Sequence, residues 1–385
     1  MVTSRNMKRI LSKASADPRY AVAAGWRRFL SYLSYLGAGK VRPETVSILA
    51  GYRCNLACPM CGQWGERGAF RAMEEAQREP RLGMDDVKIV VDAVAAWKPA
   101  VTFFGGEPLL NPDILGMIRC VKHAGLRANV ITNGTLLGRM AAPLVESGID
   151  EVIVSLDGPE DVHDRMRGRT GTYEKAARGI ESLARERRHA GKGKPVVNVN
   201  ATIWEENHGR LSELVPRAAD LGVATLTFHH PTFLGEDEYG AHERLLARLF
   251  GTGPSDFAGF VREAPPQVDV DRLLAEKRKV ERLENGVRIS FYPNFTDEEI
   301  RRYYTDIRFS CRSYPARCLS PWMAVYVFPD GELRPCLSLG VSFGNIRSHS
   351  IGEMLDGEAA RAFRQELKAR RMFPACARCT ELHRF

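Results

Sequence analysis

From about residue 46 the chain repeats a strand-sized apolar run followed by a stretch with helical periodicity, and few architectures accommodate that rhythm. Strands are expected at 46–51, 100–105, 127–132, 151–156, 196–203 and 225–230. Helices are expected between them at 84–97, 112–124, 138–147, 173–189 and 211–221. Apolar strands alternating with amphipathic helices imply a parallel sheet whose connections cross over on its outer face. Six such units predict an α/β fold, a partial (β/α)6 barrel with parallel strands and a site at the strands' C-terminal ends.

Directly after the first expected strand stand Cys54, Cys58 and Cys61. Three thiolates at this spacing can hold three corners of a [4Fe-4S] cube and leave the fourth iron open to something that is not protein. Zinc is the competing occupant, but structural zinc takes four closed ligands, usually as two close pairs. Here the local count stops at three.

The later strand ends carry small polar groups. Gly105 and Gly106 allow a ligand to approach the backbone closely, and Glu107 beside them is suited to receiving an ammonium group. Asn133 follows the third strand, Ser155 and Asp157 the fourth. These suit a ribose or an amino-acid moiety, and Arg167 or its rival Arg165 suits a carboxylate. Each is also an ordinary turn or cap residue. One of His229 and His230, at the end of the sixth strand, should face inward by alternation.

Residues 234–310 are richer in charge and read as mostly helical, with a strand at 287–291 and a helix at 297–304. Beyond a soft boundary near 305 the character changes. Cys318 and Cys336 flank a short hairpin with a Pro-Asp-Gly turn, and a helix over 351–371 leads to Cys376 and Cys379. If that helix folds back, four thiols converge to hold zinc, a second cluster or nothing. The expected organisation is therefore a lead-in at 1–45, a core at 46–232, a helical connection at 233–305 and a small cysteine-rich α+β domain at 306–385.

Composition narrows the function classes. With 385 residues and 44% hydrophobic content the chain can bury a large core. It has no apolar run of membrane-spanning length and no signal peptide, so a reducing cytoplasm is expected, in which nine cysteines read as ligands or free thiols. The net charge of +8 fits an acidic protein partner, and no zinc-finger, helix-turn-helix or aromatic-basic motif turns it into a nucleic-acid surface. The lead-in is basic and partly amphipathic: Tyr20, Trp26, Phe29 and Leu30 are interleaved with Lys8, Arg9, Arg27 and Arg28. It reads as a helix packed over the fold or one lying on an anionic membrane surface.

Across 46–232 the chain resembles the radical S-adenosylmethionine enzymes. Cys54, Cys58 and Cys61 match their cluster motif, and Gly105-Gly106-Glu107-Pro108 matches the segment that holds the methionyl amino group. The resemblance implies cofactor contacts at Asn133, Ser155, Asp157 and Arg167 and adenine-side contacts at Ile203 and Met60, the latter where relatives often carry an aromatic residue. It implies that a reduced cluster cleaves S-adenosylmethionine to a 5′-deoxyadenosyl radical, which takes a hydrogen atom from substrate carbon. The C-terminal region is similar to SPASM/twitch extensions. That implies one auxiliary [4Fe-4S] cluster on Cys318, Cys336, Cys376 and Cys379, with Cys311 spare or able to displace Cys318, and an electron-relay role. A flavodoxin or ferredoxin is the implied electron donor. A small molecule such as a sugar, nucleotide or tetrapyrrole is the favoured substrate; a ribosomal peptide, a lipid at a membrane surface, and a zinc-binding basic interaction protein that is not an enzyme are the alternatives.

Overall fold

The structure, a computed structural model, describes residues 18–283 and 286–384. A first helix, α1 (Pro18–Leu36), precedes the sheet; Lys8 and Arg9 of the expected lead-in fall outside the described residues. Strands β1 (Thr45–Leu49), β2 (Ala100–Phe104), β3 (Arg127–Thr132), β4 (Glu151–Ser155), β5 (Val196–Thr202), β6 (Thr225–His229), β7 (Arg288–Tyr292), β8 (Ala324–Val327) and β9 (Leu333–Arg334) form one sheet, ordered β7-β6-β5-β4-β3-β2-β1-β8-β9. Every ladder is parallel except the β8–β9 hairpin.

Crossovers run through α2 (Met84–Val94), α3 (Ile114–His123), α4 (Leu137–Glu146), the pair α5 (Glu160–Arg167) and α6 (Thr172–His189), and α7 (Leu214–Asp220). Helices α8 (Glu236–Phe250) and α9 (Val270–Arg282) join β6 to β7, α10 (Asp297–Thr305) precedes β8, and α11 (Ile351–Asp356) and α12 (Glu358–Arg370) follow β9. Among the described residues no helix is long and apolar enough to cross a membrane.

The six expected strands are present in the expected order, and the parallel sheet continues past them at both edges. β7, the strand expected at 287–291, joins as a seventh parallel strand beside β6. β8 pairs in parallel with β1, Thr45 against Ala324 through Ile48 against Val327, so the sheet runs across the boundary expected near 305. The sequence Ala324-Val-Tyr-Val is buried at every position, which marks a strand covered on both faces as well as it marks a hairpin arm.

Alternation sorts the strands' side chains onto two unlike faces. Outward-facing Val101, Phe103, Val152, Val154, Val199 and Ala201 are fully buried against α2, α3 and their successors in one continuous core. The inward face is polar. Asn129 donates to Thr102 Oγ1 at 3.4 Å, Thr227 and Ser290 share a hydroxyl contact at 3.1 Å, and Glu151 takes Arg127 at 2.9 Å and Asn198 at 2.5 Å. Amides and hydroxyls there line a lumen over β3 to β7, while Leu49, Phe104 and Tyr326 make a second, smaller apolar cluster on that face at β1, β2 and β8.

After α12 the chain turns back at Arg371, a left-handed residue (φ 71°) whose carbonyl accepts from Cys318 N at 2.8 Å. That turn brings Cys376 and Cys379 within electrostatic reach of Cys318 and Cys336.

Candidate active site

The loop after β1 is pinned to the loop after β2. Gly106 N donates to Gly51 O at 3.1 Å and Glu107 N to Arg53 O at 2.9 Å. A Cβ on Gly106 would lie 2.1 Å from Arg53 O, and one on Gly105, at φ 139°, would lie 2.5 Å from Gly51 O. The glycine pair, expected to admit a ligand, is first of all what lets the two loops touch.

Glu107 is buried, and three donors reach it: Thr132 Oγ1 (2.8 Å) and Leu109 N (3.1 Å) on Oε1, Asn133 N (2.8 Å) on Oε2. Burial pushes its pKa up to about 7 despite these bonds. A carboxylate has about four acceptor positions, so one on Oε2 is left over for a further donor such as an ammonium. Asn133 then links this network to the cysteine loop. Its Nδ2 donates to Asn55 Oδ1 at 2.8 Å and approaches Cys54 Sγ at 3.9 Å, while Asn55 donates to Thr135 Oγ1 at 2.9 Å.

The three thiols of that loop are free and interact electrostatically with one another. Backbone N–H groups point at the sulfurs, Leu56 at Cys54 (3.5 Å) and Gln63 and Trp64 at Cys61 (3.4 Å each). Burial, with the nearby Glu107 and the other thiols, drives the Cys54 thiol up to about 12, and burial also raises Cys58, where Arg167 opposes it. Thiols so placed ionise in exchange for a metal cation, and N–H groups aimed at sulfur suit an iron–sulfur cluster.

Arg167 and Arg165 are separated by the structure. Arg167 Nη1 lies 3.9 Å from Cys58 Sγ and its Nε donates to Asp157 Oδ2 at 2.6 Å, whereas Arg165 pairs with Asp161 on the exposed side of α5. Asp157, expected to touch the cofactor, is fully buried, and its other oxygen accepts from Thr202 N at 3.0 Å. It positions Arg167. His163 accepts from Asp157 N at 3.1 Å, and burial lowers its pKa to about 4, so its 3.5 Å approach to the Asp157 carboxylate is not an ion pair.

Ser155 is half-buried on the lumenal face, in register with Asn200. Ile203, expected against adenine, shares the buried parity of Val199 and Ala201 and lies in the core. Alternation gives the lumen to Asn200 and Thr202 instead. The neighbour of Ile203, Trp204, packs with Val162, Met166 and Met60 in a small separate apolar cluster. Met60 therefore sits on an apolar ledge at the strand-five rim. Trp204 escaped the sequence reading, although an aromatic residue directly after a strand end was its signal.

At β6 the adjacent histidines part. His230 is buried among Phe295, Tyr303 and Tyr304 and contacts Tyr304 Oη at 2.9 Å. His229 lies on the lumenal parity with Thr227, in register between Thr202 and Tyr292 and edge-on to the Tyr292 ring at 5.5 Å. Tyr292 Oη in turn donates to Thr380 O at 2.7 Å, tying the lumen rim to the residue after Cys379.

Cys318, Cys336, Cys376 and Cys379 interact electrostatically with one another, and burial raises all four, Cys379 to about 11. Among the described residues no three His, Cys, Asp or Glu side chains meet at the spacing a single metal ion requires. Cys311 stands apart, 3.2 Å from Glu299 Oε1, and Cys120 is half-buried on α3. Between Cys376 and Cys379, Arg378 is buried and donates to Ile307 O (2.7 Å), Tyr303 O (3.2 Å) and Asp306 O, stapling the segment to the C-terminal end of α10. Its place between two cysteines was its only sequence signal.

Comparison with known proteins decides between the occupants. The model of the radical SAM superfamily matches residues 48–203, and that of SPASM, an iron–sulfur cluster-binding domain, matches residues 318–380. The chain is a radical SAM enzyme with a C-terminal SPASM domain. This sets aside the zinc-binding, non-enzymatic alternative, and brings with it S-adenosylmethionine, the three-cysteine [4Fe-4S] cluster and auxiliary iron–sulfur binding. An AdoMet-dependent heme synthase of Methanosarcina barkeri is 28% identical over 85% of each chain. The Fe-coproporphyrin III synthase of that organism is 28% identical over 50% of this chain and 45% of that protein, and a PqqA peptide cyclase of Methylocella silvestris is 24% identical over 79% and 71%. Streptococcus suis SuiB, solved with its precursor peptide SuiA, is similar in fold, with a TM-score of 0.61 at 12% identity over 90% of this chain and 72% of that one. So is anSMEcpe with bound AdoMet, at 0.54 and 18% over 84% of each.

Proposed function

We propose that this radical SAM SPASM enzyme removes a hydrogen atom from a carbon of a small molecule of the tetrapyrrole class, with one auxiliary [4Fe-4S] cluster on Cys318, Cys336, Cys376 and Cys379 exchanging an electron with the substrate radical. When bound, the first cluster delivers an electron to S-adenosylmethionine and so furnishes the 5′-deoxyadenosyl radical.

The chain's own residues divide the remaining work. Cys54, Cys58 and Cys61 hold the first cluster, and the remaining acceptor position on Glu107 receives the methionyl ammonium. Arg167, fixed by Asp157, sets a positive charge beside Cys58. Ser155, Asn200 and Thr202 offer hydroxyl and amide groups to the ribose, and Met60 with Trp204 offers a flat apolar ledge to the base. The polar lumen orients substrate, with His229 beside Tyr292 as a proton-bearing group near the C-terminal segment.

The observation that carries the relay is the Tyr292 to Thr380 bond, which fastens the residue after Cys379 to the lumen rim beside His229. The tetrapyrrole class is supported by relatives named for heme and Fe-coproporphyrin synthesis. The resemblance to PqqA peptide cyclases supports a peptide as the second reading. An acidic flavodoxin or ferredoxin fits the net charge of +8 as electron donor.

The test is anaerobic turnover of the reconstituted enzyme with S-adenosylmethionine and either iron-coproporphyrin or candidate peptides carrying deuterium. Deuterium appearing in 5′-deoxyadenosine from the porphyrin supports the proposal; label arriving only from a peptide refutes the substrate class.

A further inference from the structure

Helix α1 is amphipathic in the opposite sense from a packed surface helix. Its protein-facing side is polar: Ser31 is fully buried and donates to Arg42 O at 3.0 Å, Ser34 donates to Lys40 O at 2.8 Å, and Arg28 pairs with Glu44 at 2.7 Å. Of its aromatic residues Tyr32 and Tyr35 turn inward against the core, Tyr35 edge-on to Trp322 at 5.0 Å. The outward side carries the apolar residues. Val22 is 75% exposed, Trp26 60%, Phe29 49%, Leu30 40% and Leu36 57%. Spacings of three, four and six or seven residues place them along one stripe, and the Trp26 and Phe29 rings meet at 5.6 Å.

Cationic groups stand at the C-terminal end of the helix. Exposed Lys40 follows it in sequence, and exposed Lys368 lies over the Tyr35 ring at 4.9 Å while donating to Tyr35 O. Arg317 covers the same ring at 5.5 Å. The stripe offers roughly 500 Å² of apolar surface, about half of it from the two large rings. That falls short of the roughly 800 Å² per partner of a standard protein interface. It suits a bilayer surface, where a helix lies in the interfacial plane with its apolar side buried, tryptophan sits at headgroup level and basic side chains meet anionic lipid.

We propose that α1 docks this enzyme onto an anionic lipid surface, with Trp26, Phe29 and Leu30 entering the headgroup layer and Lys40 and Lys368 contacting the headgroups. The helix lies on the membrane and does not span it. This inference is independent of the substrate proposed above.

The experiment is flotation of the full-length holoenzyme with phosphatidylcholine vesicles, with and without phosphatidylglycerol at about one lipid in three. Wild type is expected to float only with the anionic vesicles, and added salt should release it. Trp26→Glu combined with Phe29→Glu should weaken partitioning about tenfold or more, and Lys368→Glu about fivefold or more, from roughly one charge contact. Trp26→Ser with Phe29→Ser serves as the milder pair, and an unchanged circular dichroism spectrum and iron content certify each variant. Wild type failing to bind, binding neutral vesicles equally, or binding undiminished in both double variants overturns the proposal. So does a wild-type dimer that the double variants convert to monomer, which would assign the stripe to a second copy.

Discussion

Replacing Gly106 by alanine tests whether the glycine pair serves packing or ligand access. The added methyl would sit 2.1 Å from Arg53 O and 2.5 Å from Tyr52 O, closer than the 3.0 Å that real Cβ atoms respect, and both neighbours are backbone that cannot rotate aside. The two loops must part by roughly 1 Å, an overpacking that costs about 1–3 kcal/mol. Parting them also weakens the bonds from Gly106 N to Gly51 O and from Glu107 N to Arg53 O, at about 1 kcal/mol each. The expected loss is therefore about 3–5 kcal/mol. With an unfolding entropy of about 2.1 cal/mol/K per residue, a chain of 385 residues loses roughly 4–6 °C in Tm for cooperative unfolding. Differential scanning calorimetry of the protein without S-adenosylmethionine reads the effect in the absence of any ligand. Gly138→Ala is the control, because nothing lies within 4 Å of its Cβ, and a gain of about 0.5–1 kcal/mol is expected. A Gly106→Ala protein that melts within about 1 °C of wild type but no longer binds S-adenosylmethionine would refute the packing argument.

Exchanging both partners of the buried pair, Arg167→Gln with Asp157→Asn, removes the charge beside Cys58 without stranding a carboxylate; the first cluster's reduction potential should become more negative, and an unshifted potentiometric titration would contradict the placement of Arg167. His229→Ala should preserve Tm and S-adenosylmethionine cleavage while substrate turnover falls about tenfold or more, whereas His230→Ala should cost about 2–4 kcal/mol in a denaturation curve; equal effects would undo the distinction. Cys376→Ala should still yield 5′-deoxyadenosine yet form no product in a chromatographic assay, and undiminished product would count against the relay. At Asp150, burial favours the neutral acid but Lys122, Lys194 and Ala128 N outweigh it and hold the pKa below the ordinary value, so its stabilisation is present above about pH 4 and fades as pH falls through the lowered value. Wild type should exceed Asp150→Asn in stability at neutral pH and lose that margin under strong acid, and a margin that persists there would show that the charge is not responsible.

The sequence made the strands legible because each joins β-branched, apolar residues to a polar strand end, and it made the cluster loop legible because three cysteines recur within eight residues. It misled where two readings share a pattern. Four buried residues, Ala324 to Val327, form the expected hairpin arm with β9, but the same strand also lies beside β1, which only the ladder reveals. Ile203 looked suitable for an apolar ligand, yet parity commits it to the core and leaves Trp204 to join Met60. Asp157 carries the charge expected of a ligand contact, but it is fully buried, with Arg167 on one oxygen and Thr202 N on the other. Arg165 and Arg167, like His229 and His230, are two residues or one apart, and burial is a tertiary property that such spacing does not encode.

The pairing of β1 with β8 bears on how electrons move through this enzyme. The strand that delivers Cys54 and the strand that leads to Cys336 are hydrogen-bonded neighbours, Thr45 against Ala324 through Ile48 against Val327, with backbones about 4.8 Å apart. Both sulfur sites thus hang from one rigid ribbon. An electron relay of the kind proposed above would therefore span a distance that the β1–β8 ladder holds in register.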